Sequence, residues 1–274
     1  MEQPTARGTE AGTRPGAPEP NGKLLSCLLV HGLGGGPFEL EPVHAALVAA
    51  GRRVAIPTLP GHEATGRIMP TSRWQDWYDC VERSFDELAK GARPVAVVGF
   101  STGGTLSMLL ALRRPVARLA LLAPFLAIRY TRFVPLLKPE QYIRWVSQVL
   151  PDLPRKAPPI RDPEARRAYA THEPFRTFSL PATLSALELI RFVEPQIPSL
   201  SLPALILQGQ LDSVVDPEGA ARIYRMLGSR DASYVPLPRS DHLVALDYDR
   251  DRVLKEIQAF LAAGDAETAE AGHC

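Results

Sequence analysis

The β-branched run Pro94-Val95-Ala96-Val97-Val98 passes without a spacer into Gly99-Phe100-Ser101-Thr102-Gly103-Gly104. An apolar stretch follows, holding Leu106, Met108, Leu109, Leu110 and Leu112, and stops at Pro115. The first run is too short for a helix and apolar on both sides, as expected of a buried strand in a parallel sheet. The last reads as a helix. Between them, Gly-x-Ser-x-Gly sets a serine on a sharp strand-to-helix turn, where a strained backbone demands neighbours without side chains. Gly99 and Gly103 meet that demand, and Gly104 lets the helix approach the strand. A glycine-rich turn with an incidental serine is the plain alternative, because the bare pattern arises often by chance. The flanking strand and helix favour a nucleophile at Ser101.

The same strand-and-helix rhythm runs through most of the chain. Leu24 to Val30 is a short apolar strand ending in His31-Gly32-Leu33-Gly34-Gly35-Gly36-Pro37. Pro37 opens a helix with Leu40, Val43, Leu47 and Val48 on one face, closed by Gly51. A second strand, Arg53 to Ile56, leads into Leu59-Pro60-Gly61-His62. From Thr71 or Ser72 as a cap, Trp74, Trp77, Tyr78, Val81, Phe85 and Leu88 recur at helical spacing, a core stripe rather than a ligand platform. Leu119 to Pro124 is a further strand. Strands resume at Pro203 to Leu207 and Ala232 to Leu237, separated by a helix over Pro217 to Leu227. A last helix runs from about Asp247 to Leu261. This order predicts an α/β fold with a doubly wound, mostly parallel sheet.

From 125 to 200 the rhythm breaks into prolines, short helical pieces and an arginine-rich stretch between Arg155 and Arg167. A structureless loop of that length is improbable inside a compact domain. The expectation is an inserted helical cap over the carboxyl edge of the sheet. Phe125, Leu126, Phe133, Leu136, Leu137 and Trp145 are candidates for an apolar mouth or for the cap's own core. The domain plan is then a tail over 1–22, a core over 23–124 and 201–263, the cap over 125–200, and a polar tail over 264–274. The first 22 residues, rich in Pro, Gly, Glu and Thr, are not a signal peptide and read as disordered.

Composition excludes several classes of function. A formal net charge of +1 and a pI of about 7.8 give no global electrostatic case for a nucleic-acid partner. No apolar run approaches a membrane span. The three cysteines, Cys27, Cys80 and Cys274, form no CxxC pair, so a reducing, cytoplasmic setting is expected. Cofactor use is not expected. Gly-x-Gly-x-x-Gly fails at Pro37, and the P-loop pattern fails at Thr105, where its lysine belongs. No histidine pair has metal-ligand spacing, so no metal is expected either. The loop after His31 is better used to aim backbone N–H groups into a site.

In an open parallel sheet, functional groups gather beyond the carboxyl ends of the strands. Ser101, Asp212 and His242 each follow a predicted strand, in the chain order Ser, Asp, His. A serine hydroxyl needs a base to take its proton as it attacks, and histidine titrates near neutrality. The ring must in turn be held by a carboxylate. His44 falls on a helix, His172 in the cap and His273 in the tail. His31 precedes the glycine loop and is expected to bond locally, and His62 to shape a wall. Asp216 is the rival of Asp212, but it directly precedes Pro217 and is explained as a helix cap. Asp241 adjoins His242 and is expected to point elsewhere.

Five segments carry a resemblance: His31 to Gly34, Leu59 to His62, Gly99 to Gly104, Asp212 to Pro217 and Ser240 to Asp247. Together they resemble the α/β-hydrolase superfamily, and within it the bacterial carboxylesterases and monoacylglycerol lipases, over roughly residues 24 to 262. The cap matches in position more than in residues. The resemblance implies Ser101 as nucleophile, His242 as base and Asp212 as its orienter. It also implies an oxyanion hole made by the backbone N–H groups of Leu33 and Thr102. Thr102 stands where these relatives commonly have methionine, which makes the acyl pocket wall smaller and more polar. The expected partner is a small acyl ester, of short to medium chain length or a monoacylglycerol, with transient contact to a lipid surface through the cap. An acyltransferase or thioesterase would use the same motifs. A non-catalytic binding protein on this fold would usually lack a triad member, and none is missing here.

Overall fold

A computed structural model describes residues 24–63, 68–69, 71–91, 93–127, 139–155, 157–172 and 175–271. Eight strands and eight helices are present among them: β1 (Ser26–Val30), α1 (Glu41–Ala49), β2 (Val54–Ala55), α2 (Trp74–Ala89), β3 (Val95–Phe100), α3 (Thr102–Arg113), β4 (Val116–Leu122), α4 (Pro139–Ser147), β5 (Asp152–Pro154), α5 (Pro163–Ala170), β6 (Thr177–Ser179), α6 (Leu180–Val193), β7 (Ala204–Gly209), α7 (Pro217–Met226), β8 (Ala232–Leu237) and α8 (Arg250–Ala271). Six strands form one sheet in the order β2-β1-β3-β4-β7-β8, and every neighbouring pair is parallel.

The strand sequences are apolar on both faces because both faces are covered. Leu28, Val97, Leu119, Leu121 and Ile206 turn to one side and share a core with Trp77 and Phe85 of α2, Leu109 of α3 and Ile190 of α6. Cys27, Leu29, Ala96, Val98, Ala120, Leu122, Leu205 and Leu207 turn to the other, against Val43 and Leu47 of α1 and Val253, Ile257 and Leu261 of α8. The sheet is therefore doubly wound, as the strand rhythm implied.

Several boundaries differ from the sequence expectation. The helix opened by Pro37 is split into a 3-10 turn, Pro37–Leu40, and α1, and Val48 is half exposed rather than on the buried face. Helix α2 is capped at Arg73, with Ser72 instead accepting the Trp77 indole N–H at 2.8 Å. Helix α8 continues through the stretch expected as a polar tail. Asp265 is the reason: it pairs with Arg52 at 2.5 Å and accepts the Leu25 N–H at 2.8 Å, while Glu267 reaches the buried Arg118 at 2.5 Å. The N-terminal tail lies outside the described residues.

Between β4 and β7 the chain is not helical throughout. β5 and β6 pair antiparallel, where the prolines around them disfavour helix. Helix α6 packs against α2, α3 and α4 and shares their core. Phe125 and Leu126 are buried, Trp145 is 81% exposed, and Phe133, Leu136 and Leu137 lie outside the described residues. No described helix is long and apolar enough to cross a membrane.

Candidate active site

Ser101 sits at the junction of β3 and α3 with φ 53° and ψ −120°, a left-handed backbone that an L-residue adopts at a cost of about 1–3 kcal/mol. The surroundings hold it there. Its N–H donates to Leu122 at 2.9 Å, and its carbonyl accepts from Gly104 at 2.9 Å and Phe125 at 3.1 Å. The two glycines of the pattern explain themselves by contact. A Cβ at Gly103 would overlap the Val30 carbonyl, and one at Gly99 would overlap Ser107 and Gly103. Gly104 is less constrained, its nearest neighbours lying 3.3 Å or more from such a Cβ.

Around this turn the three residues from separate strand ends come together. His242 Nε2 lies 3.0 Å from Ser101 Oγ, and its Nδ1 lies 2.8 Å from Asp212 Oδ2. Asp212 is fully buried; its Oδ1 accepts the N–H groups of Val214 and Val215, each at 2.9 Å, and Gln208 donates to Oδ2 at 3.0 Å. Burial pushes the Asp212 carboxyl up, but the His242 charge, the bond to its ring and the two N–H donors hold it below the ordinary value. Burial likewise pushes His242 down, yet Asp212 foremost, then Glu39 and Asp241, bring it above 6.5. The ring also packs on Phe100, 5.0 Å between centroids.

The rival acids are placed elsewhere. Asp216 caps α7, accepting the Glu218 N–H at 3.0 Å. Asp241 takes the N–H and hydroxyl of Ser213, each at 2.8 Å, and its neighbour's N–H, so it props the loop beside Asp212.

The glycine loop lies against the serine. A Cβ at Gly32 would come within 3.1 Å of Ser101 Cβ, and Leu33 and Thr102 line one cavity with Ser101 and His242. Thr102 begins α3, so its N–H belongs to the positive end of a helix. Two further histidines, His31 and His62, serve this loop. His62 Nδ1 donates to the Pro60 carbonyl at 3.2 Å, leaving Nε2 to accept the Gly34 N–H at 2.9 Å. His31 Nδ1 donates to Gly32 at 2.9 Å and Nε2 accepts from Leu59 at 3.0 Å. Burial pushes both rings below their ordinary value, His31 to about 3, which keeps these acceptors neutral. Arg155 donates to the Gly34 carbonyl.

The cavity measures about 700 Å³. Phe125, Leu153, Phe175 and Phe178 supply apolar wall, and Glu39, Arg155 and Tyr169 supply polar groups. Pro154, Ala157, Pro158 and Pro159 line it as well. One side chain that sequence reasoning missed ties the stretch at 161–162 to the histidine loop. Asp247 accepts the N–H groups of Arg161 and Asp162, each at 2.9 Å, and of Asp241 and Tyr248, each at 2.8 Å. Its sequence signals were its place at the end of the Ser240 to Asp247 segment and near the start of the last expected helix. Among the described residues, no group of three or more His, Cys, Asp or Glu is arranged to hold a metal ion.

Comparison with known proteins identifies the chain's kin. The profile of the Hydrolase_4 family, described as "Serine aminopeptidase, S33", matches residues 23–249. A thermostable monoacylglycerol lipase from Bacillus sp. is 29% identical over 244 residues, covering 87% of this chain and 90% of that protein. Among solved structures, one from a study of the metagenome-derived lipolytic enzymes LipS and LipT superposes with a TM-score of 0.76 at 22% identity, covering 87% of this chain and 94% of the other. The monoglyceride lipase of Saccharomyces cerevisiae does so with a TM-score of 0.73 at 15% identity, over 90% of this chain and 89% of its own. At those identities the superpositions show a common fold.

Proposed function

Since the chain belongs to the α/β-hydrolase family described as "Serine aminopeptidase, S33", and is by its kinship a carboxylic ester hydrolase, we propose that it works through an acyl-enzyme on Ser101. One observation supports this above others: the unbroken line from Ser101 Oγ through the His242 ring to the buried Asp212 carboxylate. Ser101 Oγ attacks the ester carbonyl carbon while His242 Nε2 takes its proton. The proton then goes to the departing alcohol, and water repeats the sequence on the acyl-enzyme with His242 as base. Asp212 fixes the proton of the resting ring on Nδ1 and stabilises the imidazolium. The N–H groups of Leu33 and Thr102 receive the developing oxyanion, each donor typically worth ~3–4 kcal/mol.

The substrate we assign is an ester of a short- to medium-chain acid, or a monoacylglycerol. The phenylalanine-lined cavity, of a size usual for small-ligand sites, supports that reading. The stretch over the cavity would act as a lid. Trp145 and Val149, 81% and 88% exposed on and just after α4 beside Arg144, suit transient contact with a lipid surface.

The test is hydrolysis of a p-nitrophenyl acyl series together with labelling by a fluorophosphonate. The wild type is expected to cleave the butyrate and take the label. Ser101→Ala is expected to fold and lose both, and turnover retained in that variant would refute the assignment. Added alcohol that diverts the acyl group from water would indicate an acyltransferase.

A further inference from the structure

The cavity holds one buried carboxyl that the proposed reaction does not use. Glu39 lies in the 3-10 turn directly after the glycine loop and is 4% exposed. Its Oε1 accepts the Tyr169 hydroxyl at 3.2 Å, and its Oε2 is buried without a hydrogen-bond partner. The carboxyl lies against Gly35, where a Cβ would overlap it, so it supports the loop that carries Leu33. It lines the same cavity as Ser101 and His242. The charged or titratable groups that share the cavity with it and act on it are Arg155, Tyr169 on α5 and the His242 ring. His172, stacked on the neighbouring Phe38 at 4.8 Å, is exposed.

A buried carboxyl with an orphaned oxygen is costly to keep ionised, and carboxyls perturbed in this way cluster at functional sites. We infer that Glu39 is a positioning residue of the hydrolytic centre, acting through His242: its carboxylate strengthens that ring as a base while its packing on Gly35 and its bond to Tyr169 hold the glycine loop. The inference rests on the acyl-enzyme reading above. In the attack step the Ser101 O–H bond breaks, its proton moves to His242 Nε2, and the ring becomes positive. An ionised Glu39 in a water-poor cavity attracts that charge. Wherever Glu39 is ionised, the same attraction keeps a proton on the resting ring to higher pH, which delays the acid limb of activity. Loss of the charge therefore acts in opposite directions at the two ends of the pH range. Burial pushes Glu39 up to about 7 against the pull of Arg155 and His242, so the influence sets in across neutrality.

The experiment is the pH profile of kcat/KM for p-nitrophenyl butyrate with the full chain, wild type against Glu39→Gln and Glu39→Asp, with folding checked by circular dichroism. In Glu39→Gln the acid limb is expected to move down by about half a pH unit or more, and the plateau to fall about threefold or more. Glu39→Asp keeps the charge and is expected to keep the wild-type limb. An unmoved limb in folded, fluorophosphonate-labelled Glu39→Gln would overturn the inference. If Glu39→Gln does not fold, Tyr169→Phe takes its place. It removes the hydroxyl that favours the ionised carboxylate, so the limb should move the same way by less, and an unmoved limb again overturns the idea. Failure of the acyl-enzyme reading looks different, because the wild type itself would then not take the label.

Discussion

Replacing Glu39 by glutamine alters the pH dependence of folding as well as of turnover. In the unfolded chain this carboxyl titrates near 4.5, and in the native state burial carries it to about 7. At 1.36 kcal/mol per pH unit, the interval from 4.5 to about 7 corresponds to about 3 kcal/mol. The sign follows from which state holds the proton more tightly. The native state does, so this increment is fully present below pH 4.5 and is lost as pH rises through 7. Glutamine is neutral throughout and loses nothing. Relative to the wild type, Glu39→Gln should therefore gain about 2–3 kcal/mol between about pH 5 and about pH 8. His242, whose native value also lies above its unfolded 6.5, loses stability with rising pH in the same sense; it keeps Asp212, its leading partner, in the variant, and the smaller share that it owes to Glu39 adds to the change in the same direction. The assay is urea unfolding of both proteins at the two pH values; in thermal melts the gap should change by roughly 5–10 °C. Two parallel stability-against-pH curves would refute the reasoning, since they would mean that Glu39 ionises no less readily in the fold than outside it.

Other substitutions separate roles that lie close together. Asp212→Asn should lower kcat by about three to four orders of magnitude, by freeing the ring to take the wrong tautomer. Asp216→Asn should leave kcat within about twofold, since asparagine caps a helix as well as aspartate does; the reverse outcome in steady-state kinetics would exchange the two acids. His62→Leu removes the acceptor of the Gly34 N–H and should reduce kcat about tenfold with KM little changed, and His62→Gln should recover part of the loss.

Much of this architecture was legible because two periodicities dominate the chain. The apolar runs around 26–30, 95–100 and 204–209 leave no continuous polar face, and parallel strands under two layers of helix are the arrangement that uses them. The serine turn was legible for a steric reason, since Gly99 and Gly103 leave the space that the neighbouring carbonyls and Ser107 fill. Asp216 could be set aside on local grounds, because a residue before a helix-opening proline already has a use. What could not be read were contacts made across long sequence separation. Glu39 looks like one more surface acid in a glutamate-bearing turn until Tyr169, 130 positions later, is packed over it. Asp247 looks like a helix start until Arg161 and Asp162 present their N–H groups to it. The end of α8 was missed for the same reason, since Arg52 and Arg118 hold acids that read locally as tail.

Asp247 also couples parts of the chain that lie far apart in sequence. Because one carboxylate binds amides from the stretch at 161–162 and from the loop that presents His242, the two segments are tied to each other. A displacement of the first would pull on the imidazole and disturb its 3.0 Å approach to Ser101 Oγ. The β5–β6 ribbon is tied elsewhere, where Thr177 Oγ1 accepts the Met69 N–H at 3.2 Å, so a strain entering the stretch at 161–162 reaches the serine through one carboxylate.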